Sequence, residues 1–153
     1  RKADDEIFSA SVNRMQVKYL ADISPLKKTI NGDWIDLRCA EDTVIQAGQY
    51  KAIPLGVAIK LPAGYEALIA PRSSTFRNYG ILPANGVGII DESYCGNNDE
   101  WHFLAYATKT THIPQNARIC QFRAFEHMDW MDIEKVVELE NANRGGIGST
   151  GVD

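Results

Sequence analysis

Cysteine and histidine are scarce in this chain, and their positions show no pairing pattern. The 153 residues include three cysteines and three histidines. The cysteines are odd in number and form no Cys-x-x-Cys pair, which indicates reduced thiols in a cytoplasmic protein rather than a disulfide framework. Because no histidine stands at metal-ligand spacing from a cysteine, we do not expect a structural zinc site.

Long apolar runs and an excess of positive charge are also missing. No run approaches the roughly 18 residues that a membrane helix needs, so we expect a soluble protein without membrane contact. The formal net charge is −4, which argues against a general nucleic-acid binder because such a protein needs a broad basic face. A small phosphorylated ligand needs only a few arginines, and this charge still allows one.

The chain does contain enough apolar material for one folded domain. Hydrophobic residues make up 44% of the sequence, as in globular proteins, and a chain of this length is most simply one domain. Residues 1–14 are polar and are interpreted as an N-terminal extension or a segment introduced by cloning, because Met15 begins a strand pattern. We place the β domain at residues 15–140 and a flexible glycine-rich tail at residues 141–153.

Short strand patterns recur along the chain, with turn-forming residues between them. Many short strands at regular spacing predict an all-β sandwich or barrel. The only helical pattern covers residues 73–79, where Pro71 precedes the helix and Ser73 or Ser74 can cap it. The predicted strands are residues 16–20, 34–38, 43–45, 50–53, 55–61, 65–71, 88–91, 101–107, 118–124 and 133–139.

The most informative segment is Gly88-Ile89-Ile90-Asp91-Glu92-Ser93-Tyr94-Cys95-Gly96. Its β-branched start predicts a buried strand that ends at Asp91. A carboxylate held at the mouth of a pocket can accept a proton from water, although a turn-capping Asp is the simpler interpretation of the residue alone. The preceding Asn85-Gly86 predicts a tight hairpin whose backbone can read the edge of a base, with Tyr94 against a sugar.

A second segment, Ala70-Pro71-Arg72-Ser73-Ser74, combines an arginine with two hydroxyl groups at the predicted helix start. Free backbone N–H groups and the helix dipole favour a phosphate at such a position. A capped surface helix is the alternative interpretation of this segment when it is considered alone.

Two further polar side chains stand within strand patterns. Asp36 lies between large apolar residues, and since a lone buried carboxylate is costly, it needs a partner such as an arginine or a hydrated metal. In Arg118-Ile119-Cys120-Gln121, alternation predicts Arg118 with Cys120 on one face and Ile119 with Gln121 on the other. Gln121 then needs a water and backbone groups as partners, unless the strand lies at a sheet edge.

The last segment is the glycine-rich run at residues 144–151. A glycine-rich backbone can wrap phosphates through its N–H groups. Arg144 adds a forked cation, and Ile147 adds one apolar surface. A flexible linker is the alternative interpretation, because a glycine loop by itself is weak support for a site.

In this order and spacing, the five segments resemble the five motifs of the trimeric deoxyuridine triphosphatase (dUTPase) family. The match spans residues 32–151. The third motif, which is the Asp91 segment with Asn85-Gly86 just before it, is similar to that of the bacterial and phage branch. The resemblance implies a distorted jelly-roll-like β-barrel or sandwich with one short helix, assembled as a homotrimer. It also implies Mg²⁺-dependent hydrolysis of dUTP to dUMP and pyrophosphate, which keeps uracil out of DNA and supplies dUMP.

The resemblance also implies a role for each matching residue, at sites that three subunits share. Asp91 is the general base that activates water, Gln121 holds that water, and Ser73 bonds the oxygen bridging the α- and β-phosphates. The triphosphate itself mainly holds the Mg²⁺, and Asp36 contacts this ion through water. Further substrate-binding positions are Arg72, Ser74, Asn85, Gly88, Ile90, Tyr94, Arg118, Arg144, Ile147, Gly148, Ser149 and Thr150.

The chain departs from the family pattern in its tail, and other functions stay open. Ile147 stands where an aromatic ring commonly stacks on uracil, and Arg144 falls two places nearer the glycines than the usual arginine. A dCTP deaminase would share the fold but needs a glutamate on the strand after the third motif, where residues 101–106 offer none. A module that binds a regulatory protein, as in phage-type relatives, and a jelly roll without ligand are the remaining alternatives.

Overall fold

The computed structural model describes residues 13–148, and within them the chain forms short β-strands and one helix. No helix in this part of the chain is long and apolar enough to cross a membrane. The elements are β1 (Gln16–Tyr19), β2 (Ile35–Arg38), β3 (Thr43–Ile45), β4 (Tyr50–Pro54), β5 (Val57–Lys60), β6 (Tyr65–Pro71), α1 (Thr75–Tyr79), β7 (Ile81–Pro83), β8 (Gly88–Ile90), β9 (His102–Ala107), β10 (Thr111–Ile113) and β11 (Arg118–Glu126).

The described strands form four antiparallel sheets. The largest has the order β2-β11-β6-β8, a second has the order β4-β9-β7, and two pairs, β1-β5 and β10-β3, complete the set. These sheets form no closed ring, so the fold is a jelly-roll-like sandwich rather than a barrel. The prediction of an all-β fold with one short helix is confirmed.

Side chains alternate between the core and the outside along the strands, as expected for sheets with one covered face. In β2, Ile35 and Leu37 are buried, while Asp36 between them is half-buried and points away from the core. The largest buried side chain, Trp101, packs edge-to-face on Phe122 with ring centres 5.0 Å apart, a favoured aromatic geometry. Asp36 and its register partner Gln121 therefore lie on the outer face of the large sheet.

Strand β11 contains an irregularity that changes which side chains share a face. Its pairing with β2 shifts register between Arg118 and Cys120, and both Ile119 and Cys120 are fully buried. The predicted alternation of Arg118 with Cys120 is therefore wrong, because a bulge inserts a residue into the strand. The bulge leaves Arg118 and Gln121 outside the core, beside the outer face of β2.

Two strands that the sequence did not predict are present, and one predicted strand is absent. The short β7 and β10 each have three residues, too few for a clear alternation pattern. Residues 133–139 form no strand, and Ile133, Val137 and Leu139 are 99%, 100% and 84% exposed. A strand needs a hydrogen-bonding partner, and no described strand pairs with this segment.

Candidate functional site

Three charged side chains meet at one end of the large sheet. An Asp36 oxygen, Oδ1, lies 3.1 Å from Arg72 Nε, and its other oxygen, Oδ2, lies 3.3 Å from Arg118 Nη1. Arg72 Nη1 also donates to the Arg118 carbonyl at 3.4 Å. The partner that Asp36 needed is thus a pair of arginines, contributed by β11 and by the segment after β6. Two cations facing one carboxylate leave an excess of positive charge that suits an anion.

Gln121 lies on the same face as this charge cluster. It is the register partner of Asp36 on β2 and of Ala70 on β6. Its Nε2 donates to the Pro71 carbonyl at 3.1 Å, which fixes the amide plane and leaves Oε1 without a partner among the described residues. The backbone partner predicted for this glutamine is therefore present, and its oxygen can accept a hydrogen bond from water.

A buried hydroxyl, Thr75, ties the two arginine segments together. Thr75 Oγ1 accepts from the Arg72 N–H at 2.8 Å and donates to the Ile119 carbonyl at 2.8 Å. Ser74 stands at the N-cap, one of the two predicted positions, but its side chain makes no cap bond. Because α1 has only five residues, its dipole is small, and the arginines supply most of the positive potential. Nothing in the sequence singled out Thr75, except that a hydroxyl directly follows Arg-Ser-Ser.

Replacing Thr75 with valine is expected to lower the free energy of unfolding by about 1–3 kcal/mol. Valine keeps the shape but leaves the Arg72 N–H and the Ile119 carbonyl unpaired in a buried position, and this magnitude is typical of such a loss. Urea denaturation at constant m-value measures the change. Thr75→Ser, which keeps the hydroxyl, is the control and should lose less. Equal stability of the valine variant and the parent would contradict this role.

A second group of predicted residues surrounds a small cavity between the two larger sheets. The cavity has a volume of about 200 Å³ and is lined by Asn85, Gly88, Ile90 and Tyr94 together with neighbouring residues. A Cβ on Gly88 would lie 3.0 Å from Ile69 Cβ, so a larger residue would require β8 and β6 to move slightly apart. Asn85, Gly88, Ile90 and Tyr94 thus lie together at a pocket large enough for part of a nucleoside, whereas Asp91 does not line it.

The turn before β8 is not the hairpin that was predicted. Strand β7 pairs with β9 and β8 pairs with β6, so the turn at Asn85 and Gly86 joins two different sheets. Gly86 has φ 74°, a conformation that glycine adopts readily. The Asn85 N–H and the Gly86 carbonyl make no hydrogen bond among the described residues. The turn therefore still presents one free donor and one free acceptor.

Tyr94 is held against the loop that follows it. Its phenol hydroxyl donates to the Glu100 carbonyl at 2.8 Å. Desolvation by burial raises the pKa of Tyr94, and the nearby Asp99 and Glu100 carboxylates raise it further. The phenol therefore stays protonated as a hydrogen-bond donor, and its ring forms one wall of the cavity.

Asp91 directly follows β8 and is exposed. It lines an open cavity of about 580 Å³ together with Glu66, Glu92, His127 and other residues. The neighbouring Glu92 has a partner of its own, since its Oε2 lies 3.4 Å from His127 Nε2. The Asp91 main-chain carbonyl accepts from the Tyr94 N–H at 3.0 Å, but its carboxylate has no hydrogen-bond or ion-pair partner among the described residues and is available to a ligand or water.

Asp91 and the arginine cluster lie far apart within one chain. Strands β6 and β8 are antiparallel, with Ala67 opposite Ile90, so Asp91 lies beside the start of β6 while Arg72 follows its end. Six residues along β6 separate the position of Asp91 from that of Arg72, which corresponds to about 20 Å at the usual rise of 3.3 Å per residue. One copy therefore does not bring its own Asp91 to its own arginines.

The predicted tail residues are not brought to either group. Arg144, Ile147 and Gly148 lie in an irregular, exposed segment, and Arg144 lines an open groove formed by residues 138–144 themselves. Ser149 and Thr150 lie outside the described residues. The tail assignments therefore stay predictions.

Neither buried thiol is suited to nucleophilic chemistry. Cys39, Cys95 and Cys120 are all free. Burial is the main cause that raises the pKa of Cys39, and it raises the pKa of Cys120, in strand β11, well above the usual thiol value. Because the thiolate is the nucleophile, these two residues act as apolar core groups.

The described residues offer no ready-made metal cage. No group of three or more histidine, cysteine, aspartate or glutamate side chains between residues 13 and 148 is arranged to hold a metal ion. Both Asp36 oxygens have arginine partners. This donor set fits a magnesium ion held mainly by substrate phosphates and water, which is a usual mode for Mg²⁺, and does not fit a dedicated protein site.

Comparisons with known proteins identify the family of this chain. The family model described as dUTPase matches residues 27–151. The SPbeta prophage-derived deoxyuridine 5'-triphosphate nucleotidohydrolase YosS of Bacillus subtilis (strain 168) is 50% identical over 139 residues, covering 90% of this chain and 98% of that protein. This chain therefore belongs to the dUTPase family.

Solved phage enzymes share the fold. A mutant dUTPase from phage phi11 of S. aureus has a TM-score of 0.72 at 18% identity and covers 84% of this chain and 100% of its own. The dUTPase of Staphylococcus bacteriophage 80alpha with dUPNHPP has a TM-score of 0.74 at 20% identity, covering 92% of this chain and 100% of its own. At these identities the likeness shows the fold alone.

Proposed function

We propose that this chain hydrolyses dUTP to dUMP and pyrophosphate, which keeps uracil out of DNA and supplies dUMP. The observation that carries the proposal is the presence of two half-sites, an arginine cluster and a pocket that can hold part of a nucleoside beside free backbone groups. Guanidinium groups bind phosphate oxygens through forked hydrogen bonds. The B. subtilis relative is named for this reaction.

The proposed assembly is a homotrimer in which subunits share each site. The separation of about 20 Å between Asp91 and Arg72 supports this, because only a second copy can bring the two groups to one nucleotide. The exposed segment after β11 gives further support, since Trp130 is 89% exposed and Ile133 is 99% exposed. Large exposed apolar groups mark contact surfaces, and in a cyclic assembly they can pack on a neighbouring copy.

In the proposed reaction, Asp91 accepts a proton from a water that attacks the α-phosphorus in line, and pyrophosphate leaves. Asp91 suits this role because its carboxylate is exposed and has no partner among the described residues. Gln121 of a neighbouring subunit would hold the same water through its free Oε1. General base catalysis of this kind contributes about 10²–10⁴-fold, and positioning supplies much of the remainder.

The phosphate chain would lie along the arginine cluster. Arg72 and Arg118 would contact its oxygens, and Ser73 and Ser74, in the turn before α1, would donate from their hydroxyl groups. The Ser73 hydroxyl would meet the oxygen between the α- and β-phosphates, where negative charge develops as the bond breaks. Donors placed where charge develops lower the barrier most. Asp36 would hold both guanidinium groups in position.

The nucleoside would occupy the smaller cavity. The free backbone groups of the turn at Asn85, together with Gly88 and Ile90, would pair with uracil, and Tyr94 would lie under the deoxyribose. Cytosine presents a donor where uracil has an acceptor, so it would leave buried polar groups unpaired. Discrimination by unpaired groups reaches about 10⁴–10⁵.

Magnesium would be held mainly by the triphosphate, with Asp36 contacting it through water. The ion would neutralise phosphate charge and fix the conformation of the triphosphate. A solved neighbour, the phage phi11 enzyme, is described with a structural Mg(II) ion, which supports a role for this metal in the family. Arg72 and Arg118 would neutralise the remaining negative charge of the phosphates.

The tail, residues 141–153, would close over the site of another subunit. Arg144 would contact the terminal phosphate, and Ile147 would cover the uracil. Gly148, Ser149 and Thr150 would wrap the phosphates through backbone groups. Glycine-rich backbone suits this task because its N–H groups can approach oxygens closely. Ile147 is exposed in a single copy, which supports the proposal that the tail packs on another subunit.

Other proposals have less support. Deamination of dCTP needs a glutamate on the strand after the third motif, and β9 reads HFLAYA. A regulatory protein partner is supported by the fold shared with the 80alpha dUTPase, which is described as controlling transfer of virulence genes. A cytoplasmic location is supported by the three free cysteines, because thiols stay reduced in that compartment.

Pyrophosphate release from dUTP in the presence of MgCl₂ tests the function directly. We expect turnover of dUTP at least about 10³-fold above dCTP and dTTP in kcat/KM, because cytosine would leave polar groups of the turn unpaired and the pocket would exclude the thymine methyl group by steric hindrance. Excess EDTA should remove the activity and added Mg²⁺ should restore it. Comparable turnover of dUTP and dTTP would contradict the proposed base pocket, and ammonia release from dCTP would favour the deaminase.

A further inference from the structure

The turn before β11 contains Asn116, whose backbone and side-chain amide groups all form hydrogen bonds. Asn116 Oδ1 accepts from the Ser24 N–H at 2.8 Å, and its Nδ2 donates to Ser24 Oγ at 3.1 Å. Its main-chain N–H donates to the Cys39 carbonyl at 2.8 Å, and its own carbonyl accepts from Arg38 Nη1 at 2.8 Å. Asn116 therefore ties the start of β11 to the end of β2 and to the loop after β1.

The backbone of Asn116 is in a conformation that side chains rarely adopt. Its φ is 71°, and it is the only residue other than glycine with a positive φ among residues 13–148. Asparagine tolerates this left-handed region better than most residues, but at some cost. The two bonds to Ser24, which follows the buried Ile23, offset this cost. The position of the turn is therefore fixed from outside the strand.

Two arginines near this turn can compete for the single carboxylate of the charge cluster. Arg38 is the register partner of Arg118, and it shares the outward face of β2 with Asp36, two residues before it. Like charges directly opposite each other on neighbouring strands repel. The Asn116 carbonyl takes Arg38 Nη1, whereas Asp36 Oδ2 lies 3.3 Å from Arg118 Nη1. Each guanidinium group thus has an acceptor of its own.

We propose that Asn116 is a positioning residue for phosphate binding. Its carbonyl holds Arg38 away from Asp36. Asp36 is then left to orient Arg118 towards the phosphates. The inference rests on the proposed function, in which Arg118 contacts the triphosphate. Asn116 would act only through this arginine and would not touch the substrate.

Replacing Asn116 with glycine tests this role. Glycine adopts the same conformation readily, but Asn116→Gly removes both bonds to Ser24, so the turn loses its anchor and Arg38 can compete for Asp36. We expect the KM for dUTP to rise about 3- to 10-fold, the usual effect of one hydrogen bond. The kcat should change little, because Gln121 keeps its own backbone partner.

Two double variants distinguish positioning from a purely structural role. Arg118→Gln alone should raise KM about 10- to 100-fold, as expected for a hydrogen bond to a charged group. If Asn116 acts through Arg118, adding Asn116→Gly to Arg118→Gln should raise KM no further. Adding Arg38→Gln to Asn116→Gly removes the competing charge and should return KM towards the parent value. Loss of stability alone would produce neither result.

The outcomes of these measurements separate the inference from the proposed function. An unchanged KM in Asn116→Gly would overturn the inference. The same rise in KM with and without Arg118→Gln, or no recovery with Arg38→Gln, would overturn it as well. If the parent protein neither hydrolyses dUTP nor binds a non-hydrolysable analogue of it, the proposed function itself fails. Urea denaturation of each variant verifies that it is folded under the assay conditions.

Discussion

Replacing Asp91 with asparagine is expected to reduce pyrophosphate release from dUTP by about 10²–10⁴-fold, the usual contribution of a general base. Asparagine has the same shape but cannot take the proton from the attacking water. Since Asp91 is exposed and makes no ion pair among the described residues, stability and assembly should not change. Dissociation constants for a non-hydrolysable dUTP analogue should also stay similar. Steady-state kcat and analogue binding are therefore the two measurements.

The neighbouring carboxylate provides a matched control. Glu92 lines the same cavity but pairs with His127 at 3.4 Å. Glu92→Gln should keep kcat within a few-fold of the parent because it removes only an exposed ion pair. Asp91 would not be the base if Asp91→Asn kept more than about a tenth of the parent kcat, or if both variants lost activity equally.

Mixing two inactive variants is expected to restore activity. Asp91→Asn and Arg72→Gln should each be inactive alone, because one lacks the base and the other lacks a phosphate contact. If each site takes Asp91 from one copy and Arg72 from its neighbour, random equimolar trimers keep about half times half, or about a quarter, of their sites intact. The measurement is kcat after the two chains are unfolded together and refolded.

A double variant makes this test quantitative. Equimolar mixing of the parent with Asp91→Asn/Arg72→Gln should give about a quarter of the parent activity when sites are shared, but about half when each chain holds its own site. Absence of recovery in the first mixture, together with about half activity in the second, would refute the shared site. The separation of about 20 Å along β6 leads us to expect the first result.

The sequence predicted most of the sheet framework. Alternating apolar residues and turn formers located β2, β6, β9 and β11 within a few residues. The sequence did not predict the bulge after Arg118, because the bulge depends on pairing with β2 and not on local composition. It also placed a strand at residues 133–139, because β-branched residues predict a strand even where one copy provides no partner.

The candidate site was only partly predictable, because its contacts also depend on the pairing of distant segments. The pattern showed that Asp36 needs a partner but did not identify Arg72 and Arg118, which lie 36 and 82 positions along the chain and meet Asp36 only through sheet pairing. Thr75 and Glu100 act through backbone groups of other segments. Such contacts depend on three-dimensional register, which a single sequence does not contain.

Strand β6 has seven residues, and its length sets how far one copy holds its carboxylate from its arginines. A newly synthesised chain would therefore carry only fragments of a reaction centre, and nucleotide cleavage would begin when copies meet. Output would depend on the abundance of the protein more steeply than for a monomeric enzyme. Low synthesis would leave the nucleotide pool untouched, whereas a burst of synthesis would clear it.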